Sequence, residues 1–462
     1  DVIHGCRTIY PIPLGQACSF HPELVSEAAS IAASEASSEG LRATFSPMID
    51  VSRDPRWGRM MESFGEDPYV NGIMGKAMVD GYQQKDDAGI AACLKHFAGY
   101  GAVNAGREYN DVEISKRTFL EQYVKPFRMA LKAKPAMVMT AFNAIDRKPI
   151  SGNKELLKGL LRDKEGFEGT VISDWGSIGQ LEEQGVAADM EEAAIQASEA
   201  GVDIDMMSPA YMLCLEKLVE SGKIPKAFVD ESAFRVLMMK NQLGLFENPF
   251  AGLGKSGKLT LHNREKAYQL AGESCVLLKN EKKILPLSVK KKVIWAGPYT
   301  ASRELLSRWS IFGEHEAVET IEDVLQRKQI EAECIIGCNI LSDAECKVWQ
   351  VEQELSGKPR DEQWLETITH EDTVVCVLGE HESQSGEAAS RAFLTLPEEQ
   401  QVLFEKIAER TSNIVTVVIA GRPLDLRRIS EKSKAVIMAW RPGTMGAEAI
   451  IDIVYGLSLI HI

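Results

Sequence analysis

The sequence predicts an α/β protein built from a β/α barrel and a second α/β layer domain. Apolar runs of strand length alternate with amphipathic stretches over the first 245 residues, which argues a parallel sheet with helical crossovers. Polar residues close several of those runs, at Asp50, Lys95 and His96, Asn143, Asp174 and Asp205. A barrel gathers side chains from many strand ends at one mouth, whereas a doubly wound open sheet, the structural alternative, concentrates its site at one switch point. The third observation is the stretch ENPFAGLGKSGKLTL at 247–261, which has no periodicity and separates the first set of runs from another.

The strand-like runs of the first set are 43–51, 90–98, 136–142, 170–173 and 201–206. Helical patterns fall at 22–38, 115–132 and 190–200, with Ser115 placed as an N-cap. Beyond the linker, runs at 276–278, 292–296, 332–336, 373–378, 414–419 and 435–440 read as parallel strands of the second domain. The expected division is a barrel over 1–245, a linker over 246–265 and an α/β domain over 266–456. No G-x-G-x-x-G follows the run at Val293 and no G-x-x-x-x-G-K-[ST] occurs, so nucleotide binding has no motif behind it.

At 462 residues the chain is long enough for two or three cores, and 45% hydrophobic with 26% charged residues is the composition of a globular protein. A net charge of −15 repels phosphate backbones and disfavours nucleic acid. No apolar run approaches the roughly 20 residues that span a bilayer, so no membrane segment is expected. Nine cysteines are scattered; Cys93, Cys275 and Cys376 lie in apolar runs as buried thiols, and Cys334, Cys338 and Cys346 lack the paired spacing of a zinc site. Neither a metal nor an organic cofactor is expected. Both ends are expected to be truncated: there is no initiating Met, and LSLIHI at 457–462 resembles a translated sequencing-adapter end. The compartment, periplasm or cytoplasm, stays open because a leader would lie upstream.

Among the candidate functional residues Asp174 stands first. GTVISDWG at 169–176 is a short apolar run that delivers one carboxylate beside an indole, as a buried parallel strand does at the mouth of a barrel. The plainer reading is that Asp174 caps the following helix. Arg53, Asp54, Arg56 and Trp57 form a dense turn better read as scaffold, and Glu182 and Glu183 as an exposed helix face.

The ordered set DVIHG (1–5), YPIPLG (10–15), DVSRDPRWGR (50–59), ESFGEDP (62–68), LKHFAGYG (94–101), SDWG (173–176), SCVLLKN (274–280), GRPL (421–424) and WRPGTMGAEAI (440–450) resembles the family 3 glycoside hydrolases, most closely the bacterial periplasmic-type β-glucosidases. The resemblance implies a (β/α)8 TIM-like barrel followed by an α/β sandwich, with the active site in the cleft between them. It implies a retaining exo-β-glucosidase that acts on small oligosaccharides or aryl and alkyl β-glucosides, with a β-xylosidase as the near alternative. A non-catalytic carbohydrate-binding relative is the alternative from another class, and Asp174 argues against it. A homodimer is a further expectation for a longer form of the protein.

The same resemblance assigns roles. Asp174 matches the nucleophile, which must stay ionised while an acid ~5 to 5.5 Å away protonates the leaving group. GEHESQSGEAASR at 379–391 offers Glu380, Glu382 and Glu387 for that acid, and Glu387, in its GEAASR context, is the best match; the plainer reading is a solvated loop face. Asp1, Arg59, Lys95, His96 and Met139 match residues that contact the sugar, and Trp175 offers a flat wall for a pyranose ring. Three positions depart from relatives. Tyr100 and the GAVNAGREY that follows it lack the His that the branch removing N-acetylglucosamine carries in an Asp/His dyad, which disfavours that activity; Phe142 stands where some members have Tyr; Ala392 follows Ser390 and Arg391 where a polar residue is common.

Overall fold

The computed structural model describes residues 1–85, 88–254, 260–353, 355 and 363–457. Residues 255–259 of the expected linker and 458–462 of the adapter-like tail lie outside the described residues. The chain divides into two compact units: Asp1–Ile3, Pro22–Trp57 and Ser63–Lys258 form the first, and His4–His21, Gly58–Glu62 and Leu259–Ile462 the second.

The first unit is the wall of a β/α barrel. Strands β1 (Cys93–Phe97), β2 (Met137–Thr140) and β3 (Thr170–Ile172) pair in parallel in that order. Parallel bridges from Ala43 to Ala91 and from Met48 to Lys95 extend the wall before β1, and a bridge from Ile172 to Ile204 extends it after β3. The outer two positions are bridges rather than strands for identifiable reasons. Pro47 has no N–H to give within the run 43–51. In the run 201–206, the Asp203 carboxylate takes the Val171 N–H at 2.8 Å in place of a main-chain partner.

Helices back this wall. Pro22–Ser38 buries an alanine-rich stripe, and Gly81 of the helix Pro68–Tyr82 approaches it so closely that a Cβ there would stand 2.2 Å from the Ser26 carbonyl. Asp67 caps the second of these helices by accepting from the Tyr69 and Val70 N–H groups, with Pro68 at its first position, so the GEDP sequence is a helix start. Met190–Ala200 forms as expected, capped by Asp189. The stretch 115–132 is not one regular helix. Ser115 does cap it, but the turn at Phe119–Tyr123 is a wide π-turn and the helix resumes at Lys125–Ala130, because Pro126 removes a donor in its middle.

The second unit is a six-stranded sheet of β4 (Val276–Asn280), β5 (Val293–Ala296), β6 (Ala332–Ile335), β7 (Val374–Gly379), β8 (Ile414–Ile419) and β9 (Ala435–Met438), in the spatial order β4-β9-β8-β7-β5-β6. Five strands are parallel; β4 runs antiparallel to β9, which corrects the expectation of an all-parallel set. A mixed edge of this kind is common on large parallel sheets. β5, β7, β8 and β9 are apolar, or nearly so, and buried with both faces covered, whereas the edge strands are more open: β6 is half-buried and carries Glu333, and β4 exposes Leu277 and Leu278. One face packs against helices Ile321–Arg327 and Gly446–Tyr455, the other against Glu398–Ala408 and Ile429 of the helix Arg427–Lys432. The order reverses between β5 and β7, so the loop leaving the carboxyl end of β7 starts at a topological switch point, where open sheets place ligands. Among the described residues no helix is long and apolar enough to cross a membrane.

Candidate active site

In the first unit the strand ends bring ionisable side chains together. His96, at the end of β1, is 1% exposed; its backbone N–H donates to Asp50 Oδ2 at 2.9 Å, and its Nδ1 lies 2.8 Å from the same oxygen. Its Nε2 lies 3.4 Å from Asp174 Oδ2. Lys95 Nζ donates to Asp1 Oδ2 at 3.1 Å, and the Val2 N–H donates to Thr44 Oγ1 and so anchors that end of the chain. β1 has a register irregularity between Leu94 and Phe97, which is how two adjacent residues, Lys95 and His96, both reach buried partners.

Asp174 is held from below and in front. Ser173 Oγ accepts the Met206 N–H at 2.8 Å and the Ser173 N–H donates to the Ile204 carbonyl, tying the end of β3 to the neighbouring segment. Asp174 Oδ1 accepts the Trp175 N–H at 2.7 Å. The next helix, Gln180–Glu183, begins after Gly179, so Asp174 does not cap it. Trp175 is 63% exposed, a bare indole beside a buried carboxylate. Met139 sits in β2 in register with Ile172 and packs in an apolar layer with Cys93 and Ile172. Burial pushes the Cys93 thiol well up, so it remains neutral near Lys95 and Asp174.

Aromatic packing fixes the other side of His96. The Tyr100 ring meets the imidazole edge-on at 5.3 Å and Trp57 at 5.1 Å. Its hydroxyl donates to Glu108 Oε1, which also accepts the Trp57 indole N–H at 3.0 Å. Trp57 is therefore scaffold, as its turn suggests. Arg56 pairs with Asp54, holding that carboxyl below its usual range, and Arg53 donates to Gln122.

In the second unit the loop after β7 separates the three candidate glutamates. Glu380 is fully buried: Arg391 Nη1 lies 2.5 Å and Arg422 Nε 3.2 Å from its Oε1, and the Gly421 N–H donates to Oε2. A carboxylate so occupied is a structural anion, not an available acid. Arg422 Nη2 also donates to the Gln384 and Ala389 carbonyls, and Gln400 holds both backbone groups of Gly379. Glu382 begins a tight turn, Glu382–Gln384, capped by His381. Glu387 is partly exposed, with its carbonyl taken by Arg308 Nη1 at 2.7 Å and its carboxylate 3.7 Å from Arg59 Nη1. Arg59 is gripped from behind by Glu62 through two 2.9 Å bonds, both side chains buried. The Gly386 N–H donates to the Gly58 carbonyl, so the short segment that carries Arg59 is laced to the loop.

Of the residues singled out from sequence, Asp1, Lys95, His96 and Asp174 thus meet in the first unit, and Arg59 and Glu387 in the second. Asp50 reads in sequence as a polar strand end and the first residue of DVSRDPRWGR, with no role assigned, yet it is the partner of His96. Glu62 stands in sequence as the first residue of ESFGEDP with no role assigned, and Glu108 carries no signal. Among the described residues no group of three His, Cys, Asp or Glu side chains is arranged to hold a metal.

Comparison with known proteins bears on both units. Residues 1–239 match the glycosyl hydrolase family 3 N terminal domain and residues 275–458 the glycosyl hydrolase family 3 C-terminal domain. The periplasmic beta-glucosidase of Salmonella typhimurium is 37% identical over 99% of this chain and 62% of its own length, and a beta-xylosidase of Formosa agariphila is 30% identical over 98% and 65%. A mutant beta-glucosidase from Listeria innocua, solved with laminaribiose, superposes with a TM-score of 0.91 at 38% identity, covering 99% of this chain and 63% of that one. A β-glucosidase from Erythrobacter marinus gives 0.89 at 31%, with 99% and 65% covered. The chain spans somewhat over six-tenths of the length of these relatives.

Proposed function

The chain belongs to glycosyl hydrolase family 3, and from that premise we propose that it carries the machinery of a retaining exo-β-glucosidase, releasing terminal non-reducing β-D-glucosyl residues from short β-linked glucosides. The observation that carries this reading is Asp174: a buried carboxylate at a barrel strand end, oriented by the Trp175 N–H and by His96, and beside an exposed indole. The beta-glucosidase names of the relatives support the substrate class.

In the proposed mechanism the Asp174 carboxylate attacks the anomeric carbon and expels the aglycone, whose oxygen takes a proton from Glu387. Glu387 then deprotonates the water that hydrolyses the glycosyl ester, so configuration is retained. Glu387 is preferred because Glu380 is neutralised by two guanidiniums, whereas Glu387 keeps its carboxylate partly exposed. Lys95, His96, Asp1 and Arg59 are the proposed hydroxyl ligands, with Arg59 held for a forked contact by Glu62. Met139 is the proposed apolar contact, and Trp175 the platform for a pyranose ring. The second reading is a β-xylosidase using the same chemistry on a pentose, supported by the beta-xylosidase relatives. Rates on an aryl β-glucoside and an aryl β-xyloside separate the two.

Glu387→Ala tests the acid/base assignment. It slows substrates with poor leaving groups far more than a dinitrophenyl glucoside, which departs without protonation, and azide rescues it to give a β-glucosyl azide. Equal losses on both substrates, with rescue found for Glu382→Ala instead, would move the role along the loop.

A further inference from the structure

The His96 ring stands between two carboxylates, and its protonation state follows from which atoms face which. Nδ1 is 2.8 Å from Asp50 Oδ2, an oxygen that also accepts the His96 backbone N–H, so this oxygen is an acceptor and Nδ1 carries a proton. In a neutral ring Nε2 would then turn a lone pair toward Asp174 Oδ2 at 3.4 Å, an acceptor against an acceptor. His96 and Asp50 are both almost fully buried, so water does little to screen that repulsion. A second proton, on Nε2, turns the contact into an ion pair.

We infer that Asp50 is a positioning residue that holds His96 as an imidazolium, and that this cation keeps Asp174 ionised for attack and stabilises it as a leaving carboxylate. The inference rests on the reading of Asp174 as the nucleophile. Other charged and titratable groups also stand near the ring. Lys95, next in the chain, is paired with Asp1; the Tyr100 hydroxyl is turned to Glu108; the Cys93 thiol is kept neutral by burial. Glycosylation forms the bond from an Asp174 oxygen to the anomeric carbon and breaks the glycosidic bond, the aglycone oxygen taking the Glu387 proton. Hydrolysis reverses this with water, whose proton returns to Glu387. His96 keeps both of its protons throughout: the one on Nδ1 stays with Asp50, and the one on Nε2, which it can also offer to a sugar hydroxyl, follows the charge on Asp174.

The test uses Asp50→Asn in the intact enzyme, with an activated aryl glucoside whose turnover is limited by hydrolysis of the glycosyl ester. Under that limit Glu387 works as a base, so the alkaline limb of kcat does not report the general acid. The expected results are a fall in kcat of about ten- to a hundredfold, by analogy with partners that orient metal-ligating histidines, and an alkaline limb moved down by about one to three pH units. Asp50→Glu, which restores the charge, should recover part of both. An Asn variant with wild-type kcat and an unmoved alkaline limb would overturn the inference. Nitrogen-15 shifts of the His96 ring in the wild-type protein decide the matter even where the variant fails to fold: two protonated nitrogens at neutral pH are expected, and a bare Nε2 would overturn it. Failure of a fluorinated glucoside to label Asp174 in the wild type would instead sink the functional reading, leaving the ring measurement as a separate result.

Discussion

Arg422 is the residue whose loss should most disturb the loop that carries Glu387. It is fully buried and connects three points of that loop: Glu380 through Nε at 3.2 Å, and the Gln384 and Ala389 carbonyls through Nη2 at 2.5 and 2.8 Å. Arg422→Met keeps a long, flexible side chain and removes every donor. Two buried carbonyls without donors cost about 1–3 kcal/mol each, and severing a buried ion pair costs about 3–5 kcal/mol. Two effects reduce the sum. Glu380 retains Arg391 and the Gly421 N–H, and burial already works against the guanidinium, pushing its pKa down. A net loss of about 4 kcal/mol is expected, a large part of the roughly 5–15 kcal/mol that folds a domain. Urea unfolding of the purified variant measures it, and kcat on a poor leaving group should fall further than on an activated one as Glu387 loses its place. A loss under about 1 kcal/mol, no more than one ordinary hydrogen bond, with both rates unchanged would refute the claim that Arg422 organises the loop.

His381 should make the second unit acid-labile. Burial, then Arg441 and Arg308, lower its pKa from 6.5 to about 4, and its Nδ1 accepts the Ser383 N–H, a bond that a proton would abolish. Because the folded value is depressed, the contribution is whole above pH 6.5 and drains as pH falls toward 4, by up to about 3 kcal/mol. His381→Asn should flatten stability over that window, and an unchanged slope in acid-dependent unfolding would count against it. Gly58→Ala should lower activity on poor leaving groups several-fold, since a Cβ there would meet the Gly386 carbonyl at 2.1 Å and push the loop aside; wild-type rates would show that the loop yields without cost.

Strand ends are the legible part of this chain. The runs that close on Lys95, His96 and Asp174 are strands β1 and β3, and the apolar runs of the second unit are all strands. Direction and partnership are not legible. The run at Val276 looks like its neighbours, yet it pairs antiparallel, because an edge strand's direction is set by where the chain enters the sheet. Periodicity at 115–132 suggests one helix, and a single proline widens it. Among the three glutamates of the loop after β7, sequence favours Glu387 only through its GEAASR context, and nothing in it tells what the other two do. Burial sets Glu380 apart: it is fixed by two arginines, Arg391 from the end of its own loop and Arg422 from the loop that follows β8, and nothing in the local sequence of Glu380 announces either partner. Asp50 and His96 are 46 residues apart, so their contact depends on the parallel bridge between Met48 and Lys95.

The central claim is that Asp174 becomes covalently glycosylated. A 2-deoxy-2-fluoro-β-glucosyl fluoride slows hydrolysis of the ester, so the intermediate accumulates and can be located by mass spectrometry of peptides. Time-dependent inactivation is expected, with one sugar adduct on the peptide that contains Asp174 and no adduct in Asp174→Asn. An active enzyme labelled on another carboxylate, such as Glu182 or Glu183, or inactivated without any adduct at Asp174, would contradict it.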